Sequence, residues 1–186
     1  NLTSGAENVA VGFEALQDMT TGASNVAVGY QSQKDLNHAD ADCNVTVGNY
    51  TMDGVGAVAV HSCTAVGHNA LSGSLTAGAV GSVAIGRAAL KELTSGSGNV
   101  AVGYTALTAL TSGGSNIAIG ETALEDLVTG GANVAVGRNA GKEMGAGENG
   151  NILIGMAAGQ SLDEGTNGTI DSNIAIGKDS FIGGDL

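Results

Sequence analysis

The chain has 186 residues, 42% of them hydrophobic, with 32 Gly, no Pro, no Trp and a formal net charge of −12. Such acidity argues against a nucleic-acid surface, which needs clustered Lys and Arg, and against docking on anionic lipid. No apolar run approaches the roughly 18 residues of a membrane span, so no membrane insertion is expected of this segment.

Along the chain one short phrase keeps returning. Asn8-Val-Ala-Val-Gly12 opens the series, and equivalent x-[Val/Ile/Thr]-[Ala/Thr/Leu]-[Val/Ile]-Gly units start at Asn25, Asn44, Cys63, Ser82, Asn99, Asn116, Asn133, Asn151 and Asn173. The steps between them are 17, 19, 19, 19, 17, 17, 17, 18 and 22 residues, so extra residues enter as loops while the anchor is kept. A catalytic centre gains nothing from ten copies of one phrase. A coil that stacks on itself does, and a period of this length predicts a solenoid whose single coils cannot bury their apolar faces alone. Residues 1–186 therefore read as a single solenoid repeat domain. Leu2-Thr-Ser-Gly5 matches Leu110-Thr-Ser-Gly113, so the chain starts mid-coil, and the stretch after Lys178 leads into an incomplete one. Because solenoid ends need capping, the expectation is a fragment of a longer protein.

Within one repeat the pattern changes. The Asn-Val-Ala-Val-Gly part alternates and is rich in β-branched residues, which predicts a strand of five residues. Ala89-Ala-Leu-Lys-Glu-Leu93, Ala106-Leu-Thr-Ala-Leu110 and Ala123-Leu-Glu-Asp-Leu127 then place Leu at i and i+3 among good helix formers and stop at Thr-x-Gly, which predicts one to two helical turns per coil. An all-β coil is the alternative.

Both strand faces are apolar. Val9 and Val11 are expected to pack on Leu16 and Met19 of their own coil, leaving the Ala residues on the opposite face. Since Ala is a poor strand former, the column Ala10, Ala27, Ala84, Ala101, Ala118, Ala135 and Ala175 is expected to line a narrow gap against another copy of the chain, in a cyclic homo-oligomer with strands at its centre. The column Asn8, Asn25, Asn44, Asn99, Asn116, Asn133, Asn151 and Asn173 reads as a structural ladder passing amide hydrogen bonds between coils about 4.8 Å apart. Ligand binding by that ladder is the competing reading. The Gly closing each strand fits a positive φ or a close approach of the next coil, and no phosphate loop follows it.

These phrases bear a family likeness. Asn-Val-Ala-Val-Gly-x-x-Ala-Leu resembles the head repeats of YadA-like trimeric autotransporter adhesins, and the longer form with Leu-Thr-x-Gly-x-x-Asn resembles repeats of bacteriophage tail fibres. The resemblance covers essentially the whole chain. It implies a mainly β fold, a left-handed parallel β-solenoid (β-roll) of about ten 17–19-residue coils with room for one short helical turn each, assembled as a parallel homotrimer. It further implies a fibre on a virion tail or bacterial cell surface, attached to a host receptor or glycan.

The middle of the chain is least regular. His38, Asp40, Asp42, His61, Cys63 and His68 form a mixture that a metal would accept, but their spacing matches no closed zinc motif and lacks the Gly and terminal Glu of an EF-hand loop. A solvated acidic loop is the expected reading, with no metal or cofactor. Cys43 and Cys63 lie one coil apart but out of phase: Cys63 occupies the Asn column and Cys43 precedes it, so free thiols are expected. The Asn-x-Ser/Thr sequons at Asn1, Asn44, Asn49 and Asn167 carry little weight in a chain this rich in those residues.

Three function classes compete. The first is a trimeric attachment fibre without catalysis, a phage tail fibre or an adhesin head, in which Phe13, Tyr30, His68, Arg87, Tyr104, Glu121 and Arg138, just after each Gly, face outward. The second is a depolymerase tailspike, which would carry paired carboxylates on its solenoid. The third, an ice-binding face, is disfavoured because Thr is confined to turns. A fibre segment is the expected function.

Overall fold

A computed structural model describes residues 3–55, 58–76, 78–162 and 170–181 of the chain. Asn1 and Asn167, Leu2 and the stretch 182–186 lie outside the described residues. Each anchor phrase forms a strand of three residues rather than five: β1 (Val9–Val11), β2 (Val26–Val28), β3 (Val45–Val47), β4 (Thr64–Val66), β5 (Val83–Ile85), β6 (Val100–Val102), β7 (Ile117–Ile119), β8 (Val134–Val136), β9 (Ile152–Ile154) and β10 (Ile174–Ile176). They pair parallel in sequence order as one ten-stranded sheet. The register sets each phrase on its successor, Val100 against Ile117 and Ala101 against Ala118. The result is a β-solenoid.

The predicted helical turns do not form, and no helix occurs among the described residues. In their place the Ala-Leu segments run as successive turns in which every second residue has positive φ, as at Thr105 (51°) and Leu107 (52°). The turns are closed by Thr108 N–H donating to Thr105 C=O and Leu110 N–H to Leu107 C=O, both 3.3 Å. Leu at i and i+3 suits a helical face, but it also suits the two ends of such a turn. The alternation decides between them, because it points backbone groups along the solenoid axis. Leu107 N–H donates to Ala123 C=O in the next coil and Thr105 N–H to Arg87 C=O in the previous one, each 3.0 Å. An α-helix would have turned those groups inward on itself, leaving neighbouring coils without partners. Left-handed φ at a non-Gly residue costs about 1–2 kcal/mol, which these inter-coil bonds offset.

Packing reverses the expected strand faces. The central residue points into the coil: Ala27, Ala84, Ala101, Ala118, Ala135 and Ala175 are buried within the single chain, and only Ala10 in the first coil is exposed. The Ala column therefore cannot be the inter-chain surface. It faces the chain's own Leu pair, for instance Leu107 and Leu110, which are fully buried. Two Leu and an Asn already fill the narrow interior, so the strand contributes only a methyl group. β9 supplies the internal control. There Leu153 replaces Ala, and the Leu positions opposite become Gly141 and Gly159, where an added Cβ would sit 2.6 and 2.7 Å from the Leu153 methyls. The flanking Val and Ile point outward and are partly or fully exposed in every strand.

Glycine is required where backbones touch. Gly103 has φ 148°, and a Cβ there would lie 2.2 Å from Gly120 O of the next coil. Gly103→Ala is expected to cost about 2–6 kcal/mol, strain and steric overlap together, read by equilibrium unfolding. Ala101→Leu should overfill the coil and lose about 1–3 kcal/mol; an unchanged midpoint would place Ala101 outside the core.

One core position is badly matched. Gln33 is fully buried where five other coils carry Leu (Leu16, Leu71, Leu90, Leu107 and Leu124), and neither its Nε2 nor its Oε1 has a partner. Its φ of 52° equals that of Leu107, so Leu fits the backbone. Gln33→Leu is expected to stabilise the fold by about 1–3 kcal/mol by removing an unsatisfied buried amide, visible as a higher thermal midpoint.

Candidate functional site

The Asn column is an internal strut. Asn116 Nδ2 donates to Asn99 Oδ1 (3.1 Å) and to Gly130 C=O (3.0 Å). Its Oδ1 accepts from Asn133 N–H (3.1 Å) and Asn133 Nδ2 (3.0 Å). The carbonyl contact ties the strand start to the end of the same coil, and the others link coils. The same links run from Asn8 through Asn25 to Asn44 and from Asn99 to Asn173. Between these runs the column holds Cys63, whose backbone N–H donates to Asn44 Oδ1 (3.0 Å), and Ser82, whose Oγ accepts from Asn99 N–H (3.3 Å). Asn25, Asn44, Asn99, Asn116, Asn133 and Asn151 are fully buried, which leaves their amides no room to meet a ligand.

The metal candidates are not brought together. Among the described residues no three His, Cys, Asp or Glu groups converge. His38 Nδ1 accepts from Asp40 N–H (3.1 Å), Asp42 Oδ1 accepts from Ala23 N–H (2.6 Å), and Cys63 is buried in the ladder. Burial pushes the Cys63 thiol up, against the lowering effect of the Ser82 and Gly81 backbone groups, so it stays protonated. Cys43 is exposed and both thiols are free, as their phases require.

Two outer surfaces remain. The first is the strand face. Its two columns, Val9 to Ile174 and Val11 to Ile176, hold Val or Ile at every position except Thr64. Exposure reaches 41% at Ile119 and 67% at Ile176. A chain with 24 charged residues (6 Lys and Arg plus 18 Asp and Glu) places none of them here.

The second is the ridge following the Gly column. Phe13, Tyr30, His68, Arg87, Tyr104, Glu121 and Arg138 all face outward. Stacking brings neighbouring coils' side chains together: Phe13 and Tyr30 lie parallel at 5.2 Å, Tyr30 and Tyr50 edge to face at 5.3 Å, and Tyr50 and His68 edge to face at 5.7 Å. Further along, Arg87 lies over the Tyr104 ring at 5.5 Å and donates to its hydroxyl at 3.1 Å. Sequence reasoning found the outward positions but missed Tyr50, which sits one residue later in its phrase and completes the aromatic run.

Beside Tyr50 and His68 the surface dips into a shallow cleft of about 330 Å³, wide open to solvent and lined also by Asp53, Asn69 and Ser72. Burial holds the Asp53 carboxyl above its usual range, with Asp35 adding to the effect. At the next coil edge, Glu14 accepts from Gln31 and pairs with Lys34 at 3.3 Å, and those contacts lower its pKa.

Comparison with known proteins returned no match among family models, curated proteins or solved structures.

Burial raises Asp126 as well as Asp53. The folded chain thus binds protons more tightly than the unfolded chain at both groups, so the stability they contribute is full below the unfolded carboxylate value near 4 and is lost as pH rises through the raised folded values. The thermal midpoint is expected to rise on acidification from pH 7 to about 4.5, and less so in Asp53→Asn. A midpoint that falls over this range would contradict the assignment.

Proposed function

We propose that this chain is a structural segment of a trimeric surface fibre, of the phage tail fibre kind, that serves host attachment rather than catalysis. The observation carrying the reading is the Val/Ile face. A flat apolar strip without a single charge, running the length of a solenoid of net charge −12, is costly to leave in water. The partner best suited to cover it is another copy of the same strip, since columns of identical period and side-chain size interdigitate coil by coil. Cyclic closure of three such strips about one axis buries both columns of each chain at once. This moves the inter-chain surface from the Ala column, where sequence reasoning set it, to its β-branched neighbours.

The remaining features serve a rod. Ten coils at about 4.8 Å give roughly 48 Å of stiff length, braced by the Asn ladder. The variable residues after each Gly stay on the outside, free to contact a target. The adhesin-head reading uses the same architecture and differs in the surface that carries it.

Light scattering should give about 54 kDa, three times the 18.0 kDa chain. Ile85→Lys with Ile119→Lys should yield a folded monomer, its β circular dichroism retained, because charges would face one another across the axis. A wild-type monomer, or a double variant still trimeric, would overturn the reading.

A further inference from the structure

We propose that the cleft between the third and fourth coils, formed by Tyr50, Asp53, His68, Asn69 and Ser72, is a binding site for a neutral pyranose, such as the end residue of a glycan. The proposal rests on the attachment reading above only in supplying an external glycan to bind.

The site combines what a sugar ring needs. Tyr50 and His68 meet edge to face at 5.7 Å and provide an apolar wall for ring C–H groups. Asp53, Asn69 and Ser72 line the same 330 Å³ space with a carboxylate, an amide and a hydroxyl, a set that both donates to and accepts from adjacent sugar hydroxyls. Other ligand classes fit poorly. An anion would meet Asp53 and the overall negative charge, with no Arg or Lys in the lining. A cation would find one carboxylate and no convergent set of ligands. An apolar ligand would cover the Asp53 carboxylate and the Asn69 amide without hydrogen-bonding either, while the Ser72 hydroxyl already donates to Asn69 C=O at 3.2 Å.

The lining is also lightly charged. Ten residues beyond the anchor, five coils carry Asp18, Asp35, Glu92, Asp126 and Glu143, whereas the third and fourth carry Gly54 and Gly73, and Ala109 and Ser161 are uncharged as well. Asp53 is the one carboxylate of the lining. Tyr30 and Phe13 extend the aromatic run away from the cleft, offering contacts to further residues of a chain lying along the axis.

Isothermal titration of the whole chain with glucose, galactose, mannose and N-acetylglucosamine at millimolar concentration tests this. At least one sugar should bind saturably. His68→Ala, which removes half of the apolar wall, and Asp53→Asn, which removes a charged acceptor, should each weaken that binding about tenfold, while Tyr104→Ala outside the cleft leaves it unchanged. His68 is exposed, so its variant keeps the fold if Tyr50→Ala does not. No binding by any of the four sugars, or equal binding by His68→Ala and Asp53→Asn, would overturn the proposal. The mass of the same sample by light scattering reports the fibre reading separately, because a trimer that binds no sugar loses the cleft and keeps the rod.

Discussion

Every coil of this protein is held to the same shape by one requirement: backbone groups that a compact domain would pair within its own elements must here find partners in the coil above or below. The buried Asn at the head of six of the ten strands shows how tightly that requirement is met. Asn116 joins Asn99, Asn133 and Gly130 through four hydrogen bonds, fixing both the step between coils and the closure of the coil itself. A polar side chain at 0% exposure is stabilising only when fully paired. Repetition follows from this, since a coil out of register would break bonds on both of its sides.

The same requirement sets the rest of the cross-section. Gly must occupy the position where successive strands end, because the next carbonyl already fills the space a Cβ would take. Alternating positive φ in the Ala-Leu turns keeps N–H and C=O groups aimed along the axis. The interior left over is narrow, and Ala, Leu and Asn fill it. Bulkier β-branched residues are thereby pushed outward, and the surface they create is the support for the proposal of a self-associating segment. A core this thin gives limited burial per chain, so covering the Val/Ile strip would add to stability as well as to assembly.

Much of the fold was legible in the sequence. The ten anchors located the ten described strands, and the phase argument placed Cys43 and Cys63 on opposite faces. The orientation of the strand was not legible from alternation alone, because Ala and Val columns are both apolar and period two cannot say which is inside. A readable signal existed in β9, where Leu153 stands in the Ala column and Gly141 and Gly159 replace Leu nearby; that exchange of volume places the two columns against each other. The Leu spacing in Ala106-Leu-Thr-Ala-Leu110 fits tandem turns as well as a helix, and only the inter-coil bonds separate them. At the cleft, Tyr50 and Asp53 were silent in the sequence, since their meeting with His68, Asn69 and Ser72 depends on stacking two coils of equal length.

The most direct test of this account is the unfolding free energy of Asn116→Leu, a change that keeps side-chain size and removes the amide. The ladder predicts a loss of about 2–4 kcal/mol, because Gly130 C=O and Asn133 N–H would lose their partner, while Asn99 Oδ1 and Asn133 Nδ2 would each lose one bond and keep Asn116 N–H and Glu148 C=O. Stability equal to or above that of the parent chain would mean that apolar packing alone holds the coils in register, and the buried asparagine column would lose its place as the organising constraint.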